Sequence, residues 1–359
     1  MKRNLLFFFF VMSSIICLPA QSIDYNKMDI WEEICFCSRN NSFHPSTITN
    51  ADNNWQLLLA MKNGLTLKEL DSLQIPYKQS QLLLLRSQRL LSRNDDIYKT
   101  SIPILADDQT ISLRKQSLAV ANSMYPEVEK ECEELVAYLT NQQQSTNAFS
   151  ILFSYILDGL IWEKFEKEGL IEKRDGTYIW SGNYWFITPK RPFQCGSNSY
   201  SEGKYVFTFN WSDLADKLMD DFYGADFDLL MERLKKEGKI TNKEFIDEFS
   251  NFGFFDNKTN LTVPIIAESD KNELYVLSNK IIDKLLPAFL KSTNIESIQK
   301  NYAFKNGSET IVVFYHEVMW DLLNLLVEKQ VVQMPIIFKS PDKATQKDIA
   351  NLCFITIKE

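Results

Sequence analysis

The sequence predicts an α+β protein, predominantly helical, with small β-hairpins and long proline-interrupted helices. Three observations carry this. Apolar residues recur at helical spacing through most of the chain. Short runs rich in Tyr, Phe, Thr and Val read as strands, and one order of elements occurs twice. The 359 residues, 45% hydrophobic and 24% charged, suffice for two or three domains and lack the composition of a disordered chain.

The chain opens with Lys2 and Arg3, then the apolar run Leu5–Cys17, then Leu18-Pro19-Ala20 with a small residue at a cleavage point. The run falls short of the roughly 20 residues that span a bilayer and suits a signal peptide over residues 1–20, cut after Ala20. The expected location is extracytoplasmic, periplasmic or secreted, with no stable membrane span after cleavage. An uncleaved anchor is the alternative. Ile15 and Ile16 disfavour lipoprotein processing at Cys17. Removing residues 1–20 moves the net charge from −8 to −10, against a protein that binds nucleic acid by neutralising phosphates.

Five cysteines remain: Cys35, Cys37, Cys132, Cys195 and Cys353. An odd number in so long a chain is no disulfide framework. Cys35 and Cys37 with His44 match no zinc spacing, so neither metal nor cofactor is expected.

After a lead segment, 21–50, two repeats follow at 51–215 and 216–359. "PILADDQTISLRKQSLAVANSMYPEVEK" from Pro103 aligns without a gap on "PIIAESDKNELYVLSNKIIDKLLPAFLK" from Pro264, an offset of 161 residues. Pro126 and Pro287 lie 23 residues into the two segments, and the same offset lays 153–171 over 314–332. In each copy a helix (Asn54–Asn63, Asp226–Glu237) meets a stopping glycine, Gly64 or Gly238. Thr66 with Glu69, and Thr241 with Glu244, then form capping boxes. A short extended segment leads to a long helix in which Pro126 or Pro287 predicts a kink or two abutting helices. A further helix covers 150–168 or 311–329. "KYVFTFNW" (204–211) and "LCFITIKE" read as a matched pair of strands.

Residues 52–104 resemble a winged helix-turn-helix domain: a helix, Gly64, "LTLKELDSLQ", the turn "IPYKQS", the helix "QLLLLRSQRLL" and a candidate wing, "SRNDDIYKTSIPIL". The resemblance implies two degenerate winged-helix-like repeats. It also implies that helix 79–93 would face DNA through Lys78, Gln79, Gln81, Arg86, Arg89 and Arg93. Three features oppose that role. The turn has Gln74-Ile75 where the family often places Gly. Asp95-Asp96 would repel phosphate at the wing. Thr66 to Pro103 spans 37 residues but Thr241 to Pro264 only 23, so the second copy lacks a segment about as long as the reading helix.

"DGTYIWSGNYWFITPKRPF" belongs to the first copy alone, and Trp180-Ser181-Gly182-Asn183-Tyr184 reads as a hairpin turn. Tyr178, Trp180, Tyr184 and Trp185 form the candidate contact surface, for a protein or a glycan; capping the local core is the other reading of these rings. His316-Glu317 has Trp320 where a zinc protease needs its second histidine, leaving a lone general base or a histidine hydrogen-bonded within its helix layer. The reading favoured is therefore a non-enzymatic extracytoplasmic interaction protein, compatible with a homodimer. A DNA-binding regulator using 79–93 and a hydrolase using His316 and Glu317 are the alternatives.

Overall fold

Apolar burial divides the described chain between two interiors that share one strand. The computed structural model describes residues 31–37, 46–172, 182–193, 195–225, 227, 229–232, 243–257 and 260–358. The class is α+β and mostly helical, 60% helical and 14% strand. The signal segment, His44, Tyr178, Trp180, Gly238 and Thr241 lie outside the described residues.

Strand β1, Trp31–Cys37, precedes a small helical unit. There α1 (Ser46–Thr49) and α2 (Asn54–Ala60) lead into a tight turn, Met61–Asn63, ended by Gly64 at φ +91°, a conformation glycine adopts freely. After β2 (Leu65–Thr66), Thr66 and Glu69 close a capping box over α3 (Leu67–Ser72). The Thr66 amide donates to Glu69 Oε2 at 2.8 Å and the Glu69 amide to Thr66 Oγ1 at 3.3 Å. Helix α4 is Gln79–Ser87, and β3 (Leu91–Asn94) and β4 (Ile97–Thr100) form a hairpin turning at Asp95, φ +55°. The antiparallel sheet runs β2-β4-β3, and Leu57, Leu58, Met61, Leu70, Leu82, Leu85 and Tyr98 fill the core beneath it.

The larger interior spans Leu105 to Ile355. Helix α5, Asp107–Asn141, is continuous for 35 residues. Then come α6 (Ala148–Ser150), a π-helical stretch Ile151–Leu160 and α7 (Ile161–Lys167). Strands β5 (Gly182–Pro189), β6 (Gly196–Glu202) and β7 (Tyr205–Trp211) are followed by α8 (Asp216–Tyr223) and α9 (Lys243–Ser250). The chain continues through β8 (Ile265–Ala267), α10 (Glu273–Ser292), α11 (Ile295–Tyr302), α12 (Gly307–Glu328), α13 (Ile336–Lys339) and β9 (Cys353–Ile357). Helix α5 packs on both α10 and α12, and the 151–167 segment closes the bundle against the same pair. The second sheet runs β6-β7-β9-β8, so the two strands read as a matched pair are antiparallel neighbours, with β8 parallel to β9.

Three sequence expectations need correction. Pro126 and Pro287 each lie inside one continuous helix, which removes the reading of two abutting helices. Both prolines are exposed, as are Asn122 and Asp283 four residues earlier, so water can satisfy the carbonyls that proline leaves unpaired. Gly182–Tyr184 do not form a hairpin turn but begin β5, whose antiparallel partner is the distant β1, with Tyr184 opposite Phe36 and Trp185 opposite Cys35. The helix expected to reach residue 91 or 93 stops at Ser87, where Arg89 turns left-handed at φ +56° and the chain enters β3.

Strand β5 joins the two interiors. Phe186 is buried in the larger core and Ile187, facing the opposite way, in the smaller. The Ile187 amide donates to Pro103 O and the Leu105 amide to Ile187 O, each at 3.0 Å.

Gly253 fastens the segment before β9: at φ +81°, a Cβ there would lie 2.1 Å from Lys347 O. Gly253→Ala should cost about 3 kcal/mol of unfolding free energy in urea denaturation, because a backbone oxygen cannot yield as a side chain can. Gly169→Ala, at φ +68° with nothing within 4 Å, should cost only about 1 kcal/mol.

Candidate functional site

Helix α12 is apolar on almost every side. It runs for 22 residues, and its most apolar 18-residue window, with a mean hydropathy of 1.4, would allow it to cross a membrane by length and composition, yet 89% of that window is buried inside the protein. The Asn306 side chain caps it by accepting from the Glu309 amide at 2.9 Å. Within this greasy rod, His316, Glu317 and Asp321 are buried. Glu317 and Asp321, one turn apart, lie on one face.

Two arginines from elsewhere in the chain meet them. Arg191, just past β5, donates from Nε to Glu317 Oε2 at 2.8 Å and from Nη1 to Asp321 Oδ1 at 2.7 Å. Its Nη2 reaches the same Glu317 Oε2 and, at 3.2 Å, Glu317 O. Arg114 of α5 adds an Nε contact of 3.0 Å to Glu317 Oε2 and donates from Nη2 to Pro189 O at 2.6 Å. The Ser117 hydroxyl donates to Asp321. The side chains are nearly closed off, Arg191 at 9% exposure and Glu317 at 1%. Burial pulls the Arg191 pKa down, but Glu317 and Asp321 outweigh it and hold the guanidinium above its ordinary value. Two positive and two negative groups thus balance inside the fold, with charge-assisted hydrogen bonds offsetting their desolvation.

His316 turns to the other side. Its Nδ1 lies 2.6 Å from Val312 O, which places the proton on Nδ1 in the neutral ring, and the ring packs on Trp162 (4.9 Å between centroids) and Phe186 (5.8 Å). His316 and Glu317 therefore face different environments, and Glu317 Oε2 serves two guanidiniums. A carboxylate held in this way is poorly placed to accept a proton from a substrate. The arrangement fastens α5, α12 and the end of β5 together.

The outer face of α4 is a second candidate surface. Gln81, expected to face outward, is buried: its Nε2 donates to Asn53 Oδ1 at 2.9 Å and Asn54 Oδ1 at 3.1 Å, and its Oε1 accepts from the Lys78 amide at 2.8 Å. Arg86, Arg89 and Arg93 do not share a helical stripe, because only Arg86 is on the helix. Arg93 in β3 lies over the Tyr98 ring, 5.2 Å from its centroid, and donates from Nε to Asp95 O at 2.6 Å. Lys78 and Gln79 are exposed, Lys78 beside Asp52 at 3.7 Å. At the middle of the outer face stands Leu83, 66% exposed, with Leu84 at 39%.

Of the aromatic quartet, Tyr184 and Trp185 are residues of β5, and Tyr178 and Trp180 fall outside the described residues. Cys132, Cys195 and Cys353 are buried free thiols whose pKa values burial raises. No cluster of three His, Cys, Asp or Glu able to hold a metal occurs among the described residues. No family model matches the sequence, no curated protein matches it, and no solved structure matches the fold.

Arg191→Met leaves Asp321 in an apolar interior with no cation among the described residues, and Glu317 with Arg114 alone, and should lower stability by about 3–5 kcal/mol. A double-mutant cycle of Arg191→Met with Asp321→Leu, followed by urea unfolding, should return a coupling of about 1–3 kcal/mol. Coupling near zero would mean the two side chains do not depend on each other.

Proposed function

We propose that this chain is a non-enzymatic interaction protein that works outside the cytoplasm, built on a duplicated helical scaffold with a winged-helix-like unit at 52–104. The observation that carries the proposal is the outer face of α4, where the exposed middle of the helix is apolar, Leu83 and Leu84, rather than polar. Contiguous exposed leucine on a helix face suits a protein surface better than a groove of hydrogen-bonding base edges.

Two further features support the scaffold. In the small unit, helix, strand, two helices and hairpin follow one another, with β2 beside β4, an order that suits a winged helix. Applying the 161-residue offset brings Asn141, the end of α5, onto Tyr302, the end of α11. The same shift brings Lys167, the end of α7, onto Glu328, the end of α12. The bundle then consists of two related helix pairs. The aromatic residues Tyr178, Trp180, Tyr184 and Trp185 stay as an additional candidate contact, with protein or glycan as ligand.

DNA binding is the second reading, favoured by one observation: residues 72–94 contain Lys78, Arg86, Arg89 and Arg93 and no acid. Against it, Gln81 is committed to the core, Arg93 rests on Tyr98, and Asp95 and Asp96 are exposed at the wing.

Amino-terminal sequencing of the protein from fractionated cells should find it outside the cytoplasm, beginning at Gln21. At low salt, no mobility shift of duplex DNA is expected. A cytosolic protein with an intact leader, whose shift disappears in Arg86→Ala/Arg89→Ala, would replace this proposal with the second reading.

A further inference from the structure

We infer that the partner of the α4 face is an acidic protein segment, one that seats an apolar side chain on Leu83 and places carboxylates on Arg86 and Arg89. This rests on the reading of α4 as a protein-contact surface and adds the partner's chemistry.

Charge carries the first part of the argument. The chain has a net charge of −8, yet the 23 residues from Ser72 to Asn94 hold four cations and no acid. Arg86 lies one turn beyond Leu83, so an apolar contact at 83 brings a partner within reach of that guanidinium. Arg86 and Arg89 are exposed and make no ion pair among the described residues. Two unpartnered guanidiniums beside exposed leucine match a surface that alternates carboxylate and apolar groups, since each fork can take a carboxylate by two hydrogen bonds. A phosphate backbone would meet the same arginines but would bury neither Leu83 nor Leu84, and it would approach Asp95 and Asp96.

The backbone sets where the second cation stands. Arg89 holds the left-handed position just past α4, at φ +56°, where the Leu90 amide bonds Leu85 O at 2.9 Å. Gln74, Gln143, Ala303 and Gln330 close α3, α5, α11 and α12 in the same conformation, so the turn itself is how this chain ends its helices. Arg89 enters the contact by its exposed charge, at the end of the helix that carries Leu83 and Arg86.

The test uses the full chain carrying Leu83→p-benzoylphenylalanine, irradiated in the cells that produce it, with the crosslinked peptide sequenced by mass spectrometry. The expected adduct is a protein segment of net negative charge with an apolar residue at the point of attachment. Its yield should fall about tenfold when Arg86→Glu and Arg89→Glu are added, as reversal of contact charges predicts, with the unfolding midpoint unchanged. A neutral or basic segment overturns the partner chemistry and leaves the interaction reading in place. Adducts with nucleic acid, or none at position 83, overturn both.

Arg89→Gly separates contact from architecture. It should raise the thermal midpoint by about 2 °C, through relief of the left-handed side chain, and lower the adduct yield several-fold. An unchanged yield would remove Arg89 from the contact.

Discussion

The structure depends on how two carboxylates are kept inside an apolar helix. Glu317 and Asp321 are buried, and α12 has no lysine or arginine to meet them. The fold solves this by bringing Arg114 from α5 and Arg191 from beyond β5 to the same spot. Because the partners are so distant in sequence, the charges can be neutralised only when α5, α12 and the end of β5 are all in their native places. Hydrophobic packing tolerates small slips; two arginines sharing one carboxylate oxygen do not. The network therefore ties the three elements to one relative placement.

That division of labour leaves the buried charges to hold the fold. The titratable groups that might have supported catalysis, His316 and Glu317, are bound to their surroundings: one to a helix carbonyl and two aromatic rings, the other to two guanidiniums. The exposed face of α4 is the reverse case, with leucine and arginine side chains that the fold does not use. It is on this contrast between a committed interior and an uncommitted outer helix that the proposed contact rests.

Much of the architecture was legible in the residues. Gly64 and the Thr66-Glu69 pair fixed one helix end and one helix start by local chemistry, which a sequence displays directly. The predominance of helix was legible from the apolar periodicity along the chain. The reading of two abutting helices failed because a helix continues through Pro126 where that residue and Asn122 before it are exposed, and that depends on which side of the bundle they occupy. The end of α4 misled because Arg89 gives no sign of a left-handed turn that Gly or Asn would have announced. The pairing of β5 with β1 and the arginine network are long-range and carry no periodic trace. Still, Glu317 and Asp321, one turn apart in an otherwise apolar helix, implied that cations had to come from somewhere. Only the choice of Arg114 and Arg191 was hidden.

The placement of β5 has one more consequence. Phe186 belongs to one interior and Ile187 to the other, so consecutive peptide units are shared between two cores. Melting either core would strip one face of a strand the other still requires. The small amino-terminal unit and the helical bundle should then lose structure together, in a single heat-absorption peak, even though each has a separate hydrophobic centre. A protein that recognises partners through the smaller unit would in this way lend it the thermal resilience of the larger.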